Sequence, residues 1–122
     1  MPVFCPVLDR AAGAPKLSGA NRVRLRPGSR LAALYPREET QEEYFCNFEV
    51  NPRYVTQLES SGMRVAATGD NGEVRAVELP ALRFFVVTLF LPQLSSTPEK
   101  PHPLIVSYLE AARGNKNRAT AA

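Results

Sequence analysis

The stretch from Phe84 to Pro103 constrains the fold of this chain more than any other part of the sequence. Phe84 to Phe90 is a continuous apolar run of strand formers, and its length predicts a buried strand rather than a helix. Pro92 ends the strand because proline has no N–H for a central ladder. A polar loop follows, and Pro101 and Pro103 predict a helix start, where a missing N–H costs least. Strand, loop and helix is the arrangement in which α/β proteins usually place their chemistry.

The middle of this stretch resembles a catalytic signature. Segment 89–93, Leu-Phe-Leu-Pro-Gln, resembles the Gln-Phe-His-Pro-Glu signature of class I glutamine amidotransferases. Segment 100–104, Lys-Pro-His-Pro-Leu, is most similar to the C-terminal amidotransferase domain of CTP synthase. The resemblance implies that the signature His is the general base, that the Glu orients it, and that both assist a cysteine nucleophile. The matching positions in this chain are Leu91 and Gln93.

These two replacements remove the chemistry of the signature. Residues at i and i+2 of an extended segment point to the same side, so a base and its orienting group can cooperate at that spacing. Leu91 can neither accept nor donate a proton, and Gln93 carries no charge to stabilise an imidazolium. Loss of such a base can lower turnover by about 10⁶-fold. We therefore predict a former catalytic loop without glutaminase activity; the alternative is a buried strand with an ordinary exit loop.

A second segment departs from the same family. Segment 44–51, Tyr-Phe-Cys-Asn-Phe-Glu-Val-Asn, predicts a strand and resembles the His-Arg-Tyr-Glu-Val-Asn segment of CTP synthase. The resemblance implies that the Arg of that segment helps to hold the substrate glutamine. Asn47 occupies the matching position and cannot make the bidentate charged contact that an arginine makes to a carboxylate. The substrate-binding position is therefore degenerate as well.

The cysteines offer no obvious nucleophile. The family places its catalytic cysteine on a Gly-x-Cys-x-Gly elbow, and this sequence contains no such elbow. We expect Cys5 and Cys46 to be small buried hydrophobic residues. The spacing of Cys5, Cys46 and His102 does not indicate a zinc site, so no metal and no cofactor are expected. A different enzyme using Cys46 or Glu49 stays open; it requires an exposed Cys46 with a lowered pKa.

The remaining segments predict the elements between these motifs. Asn51 followed by Pro52 predicts the start of a helix, and Asp70-Asn71-Gly72 predicts a hairpin turn. The sequence predicts a short strand within 3–8, a strand over 21–26, a strand or helical turn over 30–35, an exposed acidic loop or turn over 37–43, a helix over 52–60, strands over 64–68 and 73–79, and a final helix over 102–113.

The net charge of +3 suggests no particular partner. Arg22, Arg24 and Arg26 alternate with apolar residues, which predicts a solvated strand face in preference to a phosphate contact. No nucleic-acid partner and no membrane association are expected. No apolar run is long enough to span a bilayer, and the N-terminus lacks the pattern of a secretory signal, so we predict a cytoplasmic location.

The resemblance implies an α/β fold that is the C-terminal part of a class I glutamine amidotransferase (flavodoxin-like) domain. We expect a mixed sheet with flanking helices, lacking the N-terminal βα units. The predicted organisation is a loop-rich segment 1–20, a partial glutamine amidotransferase-like domain 21–113 and a disordered tail 114–122. The chain is also similar to bacterial proteins described as CTP synthase C-terminal region-related.

Two functional hypotheses follow from the resemblance. The first is a degenerate, non-catalytic glutamine amidotransferase-like protein. The second is one half of a split amidotransferase, completed by a partner chain, that hydrolyses glutamine and donates ammonia in nucleotide biosynthesis.

The predicted strand Phe84–Phe90 is apolar on both faces, so it should have cover and neighbouring strands on both sides. We therefore expect a homo-oligomer, a partner chain that covers the exposed sheet edge, or marginal stability. A stable, monodisperse monomer in sedimentation would contradict this expectation.

Overall fold

The computed structural model describes residues 3–6 and 17–121. Within these residues the strands are β1 Phe4–Pro6, β2 Leu17–Leu25, β3 Glu39–Cys46, β4 Phe48–Val50, β5 Arg64–Thr68, β6 Val74–Glu78 and β7 Val86–Thr88. The helices are α1 Val55–Ser60 and α2 Pro103–Ala121, and single 3-10 turns span Ala32–Leu34, Pro52–Tyr54 and Pro92–Leu94.

The main sheet has five strands in the order β3-β2-β5-β6-β7, and β1 pairs with β4 in a separate two-stranded sheet. The pairings within both sheets are antiparallel. The parallel pairs that a mixed sheet requires are therefore not found in the part of the chain that the structure describes. The longest pairing joins β2 to β3, from Leu17 opposite Cys46 to Arg24 opposite Glu39.

Strand β7 is an edge strand, and it is shorter and less buried than the strand predicted over residues 84–90. Only Val86–Thr88 are in the ladder, and β7 pairs with β6 alone. Val87 is 43% exposed, whereas Phe90 is fully buried beyond the end of the strand. The ends of the apolar run pack into the core, and its middle forms a short edge strand. Hydrophobicity alone does not distinguish core packing outside a strand from a buried strand, so the run resembles one continuous strand in the sequence.

Strand β3 replaces the acidic loop predicted over residues 37–43. Its side chains alternate: Glu42 and Tyr44 are each 2% exposed, whereas Phe45 is 69% exposed. Successive side chains of a strand point to opposite faces, so the pairing with β2 directs Glu42 inward despite its charge. The charge of the four glutamates from 38 to 43 favours an exposed loop, but charge alone does not indicate which of them faces the core.

The alternation predicted for β2 is confirmed. Val23 and Leu25 are buried, and the arginines between and beside them lie outside. The arginines pair with carboxylates of neighbouring segments: Arg22 with Asp70 and Glu39, Arg24 with Glu39, and Arg26 with Glu59. The strand begins at Leu17, inside the segment predicted to be loop-rich; the division of the chain at residues 20 and 113 stays a prediction.

The two local turn signals are also confirmed. Strands β5 and β6 flank the Asp70–Gly72 turn, in which Gly72 has a φ of +84° that glycine adopts without strain. The side chain of Asn51 accepts a hydrogen bond from the N–H of Arg53 at 3.1 Å, and a 3-10 turn then leads into α1.

Helix α2 differs from its prediction in length and in burial. It begins at Pro103 and continues to Ala121, beyond the expected end at residue 113. Leu104 is buried, but Tyr108 and Leu109 are 59% and 58% exposed, although helical spacing predicts that all three lie on one buried face. The helix therefore packs on the core chiefly through its first turn, where it meets the turns at Ala32–Leu34 and Pro92–Leu94.

The core lies between the sheet and the segments that pack against it. It consists of Val23, Leu25, Leu31, Tyr44, Ala66, Ala67, Ala76, Phe90 and Leu104. Among the described residues, no helix combines the length and the apolar character needed to cross a membrane.

Candidate functional site

The signature loop leaves the end of β7 and is held against β3. The N–H of Leu91 donates to the carbonyl of Glu43 at 2.8 Å, and the hydroxyl of Thr88 donates to the carbonyl of Phe90 at 2.8 Å. Leu91 is extended, but the 3-10 turn begins at the next residue, so Gln93 is exposed and not on extended backbone. The same-side relation that the sequence suggested for positions 91 and 93 does not hold here.

Asn47, the degenerate substrate position, lies just beyond the end of β3, the strand that contacts the signature loop. It occupies the bend between β3 and β4 and is partly buried. Glu43, which anchors Leu91, is four residues earlier, a separation of about 13 Å along an extended strand. Leu91 and Asn47 are therefore both associated with β3, Leu91 through Glu43 and Asn47 at the bend that follows the strand.

The cysteines are partly buried, so their predicted full burial is wrong. Cys5 lies in β1 of the two-stranded sheet, and Cys46 is the last residue of β3. The Sγ atom of Cys46 contacts the carbonyl oxygen of Phe48 at 3.0 Å. Glu49 directs its carboxylate to Arg75, with Oε1 and Nη1 3.4 Å apart. Cys46 and Glu49 thus have separate partners, and the alternative enzyme that would use Cys46 or Glu49 stays a hypothesis.

A buried histidine–carboxylate pair was not foreseen from the sequence. His102 Nε2 and Glu42 Oε1 are 2.6 Å apart, and both side chains are buried. His102 Nδ1 accepts the N–H of Leu104 at 3.1 Å. Because Nδ1 is an acceptor, the ring proton lies on Nε2 and is donated to the Glu42 carboxylate. Both ring nitrogens of the single histidine are therefore occupied.

The second oxygen of Glu42 is equally engaged. Oε2 accepts the hydroxyl of Thr40 at 3.1 Å and the hydroxyl of Tyr35 at 3.3 Å. Burial, followed by the negative charge of Glu42, raises the pKa of the Tyr35 hydroxyl above its usual value. A cleft of about 380 Å³ lies against this cluster. With its donors and acceptors satisfied, the cluster joins β3 to the start of α2 and has no free base to offer a substrate.

Two local signals could have indicated this pair. Glu42 is two residues from Tyr44, so both lie on the same face of an extended strand. His102 directly precedes Pro103, the first residue of α2, and its ring caps the N–H of the second helical residue as an N-cap side chain does. Neither signal connects the two residues, since their contact spans 60 positions. Among the described residues, no group of three or more His, Cys, Asp or Glu is placed to hold a metal ion.

Comparisons with known proteins give one consistent relationship. The chain is 41% identical to CTP synthase of Methanopyrus kandleri over 108 residues, covering 88% of this chain and 20% of that protein. It is 36% identical to CTP synthase of Saccharolobus solfataricus over 93 residues, covering 76% and 17%. The chain thus spans about a fifth of the length of these curated relatives. No protein-family model matches the sequence.

A solved structure extends the relationship to the fold. The chain superimposes on the Trypanosoma brucei CTPS glutaminase domain with bound acivicin with a TM-score of 0.82 and 30% identity, covering 92% of this chain and 46% of that one. The fold is therefore that of part of an α/β domain of the class I glutamine amidotransferase type, and the predicted fold class, a partial flavodoxin-like domain, is confirmed. Within that class it is related to the glutaminase domain of CTP synthase.

Proposed function

We propose that this chain is a degenerate glutamine amidotransferase-like protein that does not hydrolyse glutamine. One observation carries the proposal: the base position of the signature is Leu91, and the single histidine of the chain is held in a buried pair with Glu42. His102 cannot replace the missing base, because a catalytic base needs a free lone pair within reach of the substrate. The role that remains for the loop is structural or one of binding.

The thiols support the same conclusion. A nucleophilic cysteine needs a neighbouring base or a positive environment that generates the thiolate. Cys46 contacts the backbone of Phe48, and Cys5 lies opposite Glu49, whose carboxylate is paired with Arg75, in the β1–β4 pair. A link to pyrimidine nucleotide biosynthesis through the CTP synthase relatives, and a cytoplasmic location, are part of this proposal.

The direct test is glutamine hydrolysis by the purified chain. We expect no ammonium above the buffer background, whereas the trypanosomal glutaminase domain assayed in parallel provides the positive control. We also expect acivicin, which that domain binds, to leave both Cys5 and Cys46 unmodified in intact-mass and peptide mass spectra. Ammonium release at a rate comparable with the control, or an adduct on either thiol, would contradict the proposal.

Restoring the signature should not restore activity. The double variant Leu91→His with Gln93→Glu supplies an imidazole and a carboxylate but no elbow cysteine. Because the nucleophile and base of such a unit act together, supplying one part alone is expected to give no measurable gain. The same assay checks this, with Gln93→Glu alone as the matched control. A gain of tenfold or more over that control would show that a nucleophile is present after all.

The second candidate is one half of a split glutamine amidotransferase. It is favoured by the extent of the match, which covers 46% of the glutaminase domain. A completing chain could bring the cysteine, but Leu91 would still stand at the base position. Glutamine hydrolysis by the chain together with a completing polypeptide, and not by either alone, would establish this candidate over the first.

A further inference from the structure

The outer side of β7 presents unpaired backbone groups. The N–H of Leu89 donates to the carbonyl of Arg75 at 2.9 Å, and the carbonyl of Phe85 accepts the N–H of Leu79 at 3.1 Å. Odd-numbered residues of this segment therefore face β6. Since the hydrogen-bonding groups of successive residues alternate in direction, the N–H and C=O groups of Val86 and Thr88 face away from the sheet.

This edge lacks the features that prevent further pairing. Segment 84–93 contains no charged residue, and no proline occurs within β7. The opposite edge of the sheet, β3, carries Glu39 and Glu43, and the carbonyl of Glu43 already accepts the N–H of Leu91. Natural sheets usually protect a free edge with charges, prolines or bulges. Strand β7 is thus open to the addition of an uncharged strand. At β3, the glutamates would repel an added strand that also carries negative charge.

An apolar groove adjoins the same edge. It has a volume of about 210 Å³ and is bounded by β1, β4, β6, β7 and the end of α1, with Phe4, Leu58, Met63, Val77, Val87 and Leu89 among its walls. Phe4 and Val87 are 48% and 43% exposed. The charged residue in its lining, Arg75, is neutralised by Glu49 and Glu73. The groove therefore suits an apolar side chain.

We propose that the β7 edge and this groove bind a partner chain equivalent to the rest of a glutaminase domain. The partner adds an extended, uncharged strand along Val86–Thr88 and inserts an apolar side chain beside Val87. The relevant observation is the structural neighbour: at a TM-score of 0.82 the match covers 46% of that domain, so more than half of the domain lies outside the matched residues. Strand addition of this kind uses backbone hydrogen bonds for affinity and side-chain pockets for specificity.

A second copy of this chain fits the edge less well. Two β7 strands paired about a two-fold axis would share three residues each, about 10 Å of strand. A stable interface needs about 1,000 Å² of buried surface, which so short a ribbon does not supply. The rest of a glutaminase domain offers a surface large enough to cover both the edge and the groove. The proposal concerns binding alone and holds whether or not the assembled domain hydrolyses glutamine.

The test uses the remaining section of the trypanosomal glutaminase domain, the part outside the match, as the probe. The full chain and the probe are co-expressed, purified on a tag carried by the chain, and sized by sedimentation. We expect a one-to-one complex with the unaltered chain. Val87→Lys should weaken the association at least tenfold, because it places a charge in the apolar groove. Leu109→Lys, which introduces the same charge at an exposed apolar residue of α2, should leave it unchanged.

Thr88→Pro provides a second variant, since it removes an outward N–H and no β6–β7 hydrogen bond; it should also weaken binding. Far-ultraviolet circular dichroism checks that each variant is folded. Failure of the unaltered chain to associate with the probe overturns the proposal, as does equal binding by Val87→Lys and Leu109→Lys. A dimer of the chain alone that Val87→Lys separates would assign the edge to a second copy instead. Ammonium release is measured separately, so failure of binding is distinguishable from failure of the proposed function.

Discussion

Glu78→Ala is expected to lower the free energy of unfolding by about 3–5 kcal/mol, the usual cost of removing one partner of a buried charge pair. Glu78 is 1% exposed and accepts four hydrogen bonds. The N–H groups of Arg30 and Leu31 donate to it at 3.0 and 3.1 Å, and the guanidinium of Arg64 donates through Nε at 3.1 Å and through a second nitrogen. Alanine would leave these donors without an acceptor and open a cavity between β6 and the segment after β2.

Urea denaturation followed by circular dichroism measures this effect. Glu39→Ala is the matched control, because Glu39 is also a paired glutamate but half-exposed, with Arg22 and Arg24 both at 3.9 Å. Exposed pairs contribute about 0–1 kcal/mol, so the control should shift the midpoint little. Equal losses for the two variants would mean that Glu78 contributes no more than an ordinary surface charge.

Acid should weaken the protein through the same carboxylate. Burial alone would raise the pKa of Glu78, but the hydrogen bonds from Arg64, Arg30 and Leu31 outweigh it and hold the pKa below its ordinary value of 4.5. A lowered pKa in the folded state means that the stabilisation is complete above pH 4.5 and is lost as the pH falls through the folded-state pKa. Unfolding experiments between pH 7 and pH 2 should show a steeper acid loss for the unaltered chain than for Glu78→Ala. Parallel curves would show that Glu78 is not the cause of the acid loss of stability.

His102→Ala is expected to lower the free energy of unfolding by about 3 kcal/mol, through two separable losses. The buried Glu42 carboxylate loses its nearest donor, at 2.6 Å, and the N–H of Leu104 loses its cap. A buried charge that loses a partner is costly because no water replaces it. Since the pair joins β3 to α2, the loss should appear in the global unfolding transition.

His102→Asn separates the two contributions. Asparagine is a good N-cap and can still accept the N–H of Leu104, but it is too short to reach Glu42 as the imidazole does. We expect it to be about 1 kcal/mol more stable than His102→Ala, the typical value of a cap. A double-mutant cycle with Glu42→Ala should give a coupling energy of about 1–3 kcal/mol between the two side chains. A coupling near zero would show that the short contact contributes nothing to stability.

The fold could be predicted wherever the signal was local. The Asp70–Gly72 turn, the cap at Asn51 and the alternation around Val23 depend on residues within a few positions of one another, and each is present in the structure. The predictions failed where they depended on which strands pair with one another. The run 84–90 has the composition of a central strand, but its position at the sheet edge depends on which strands pair with it.

The candidate site shows the same division. Leu91, Gln93 and Asn47 could be singled out from the motif alone, because their side-chain chemistry differs from what the signature requires. The buried pair of Glu42 and His102 could not, because a charged residue in an acidic run and a histidine before a proline give no indication that they meet.

The sequence by itself determined what chemistry is missing, since an aliphatic side chain has no proton to exchange in any fold. It also determined the turns and caps, which need only a few successive residues. The tertiary structure alone decided that Glu42 and His102 are a satisfied pair, that β7 is an open edge, and that a groove lies beside it. These properties arise from contacts between segments far apart in the chain, and each depends on the burial and the pairing that only the assembled sheet creates.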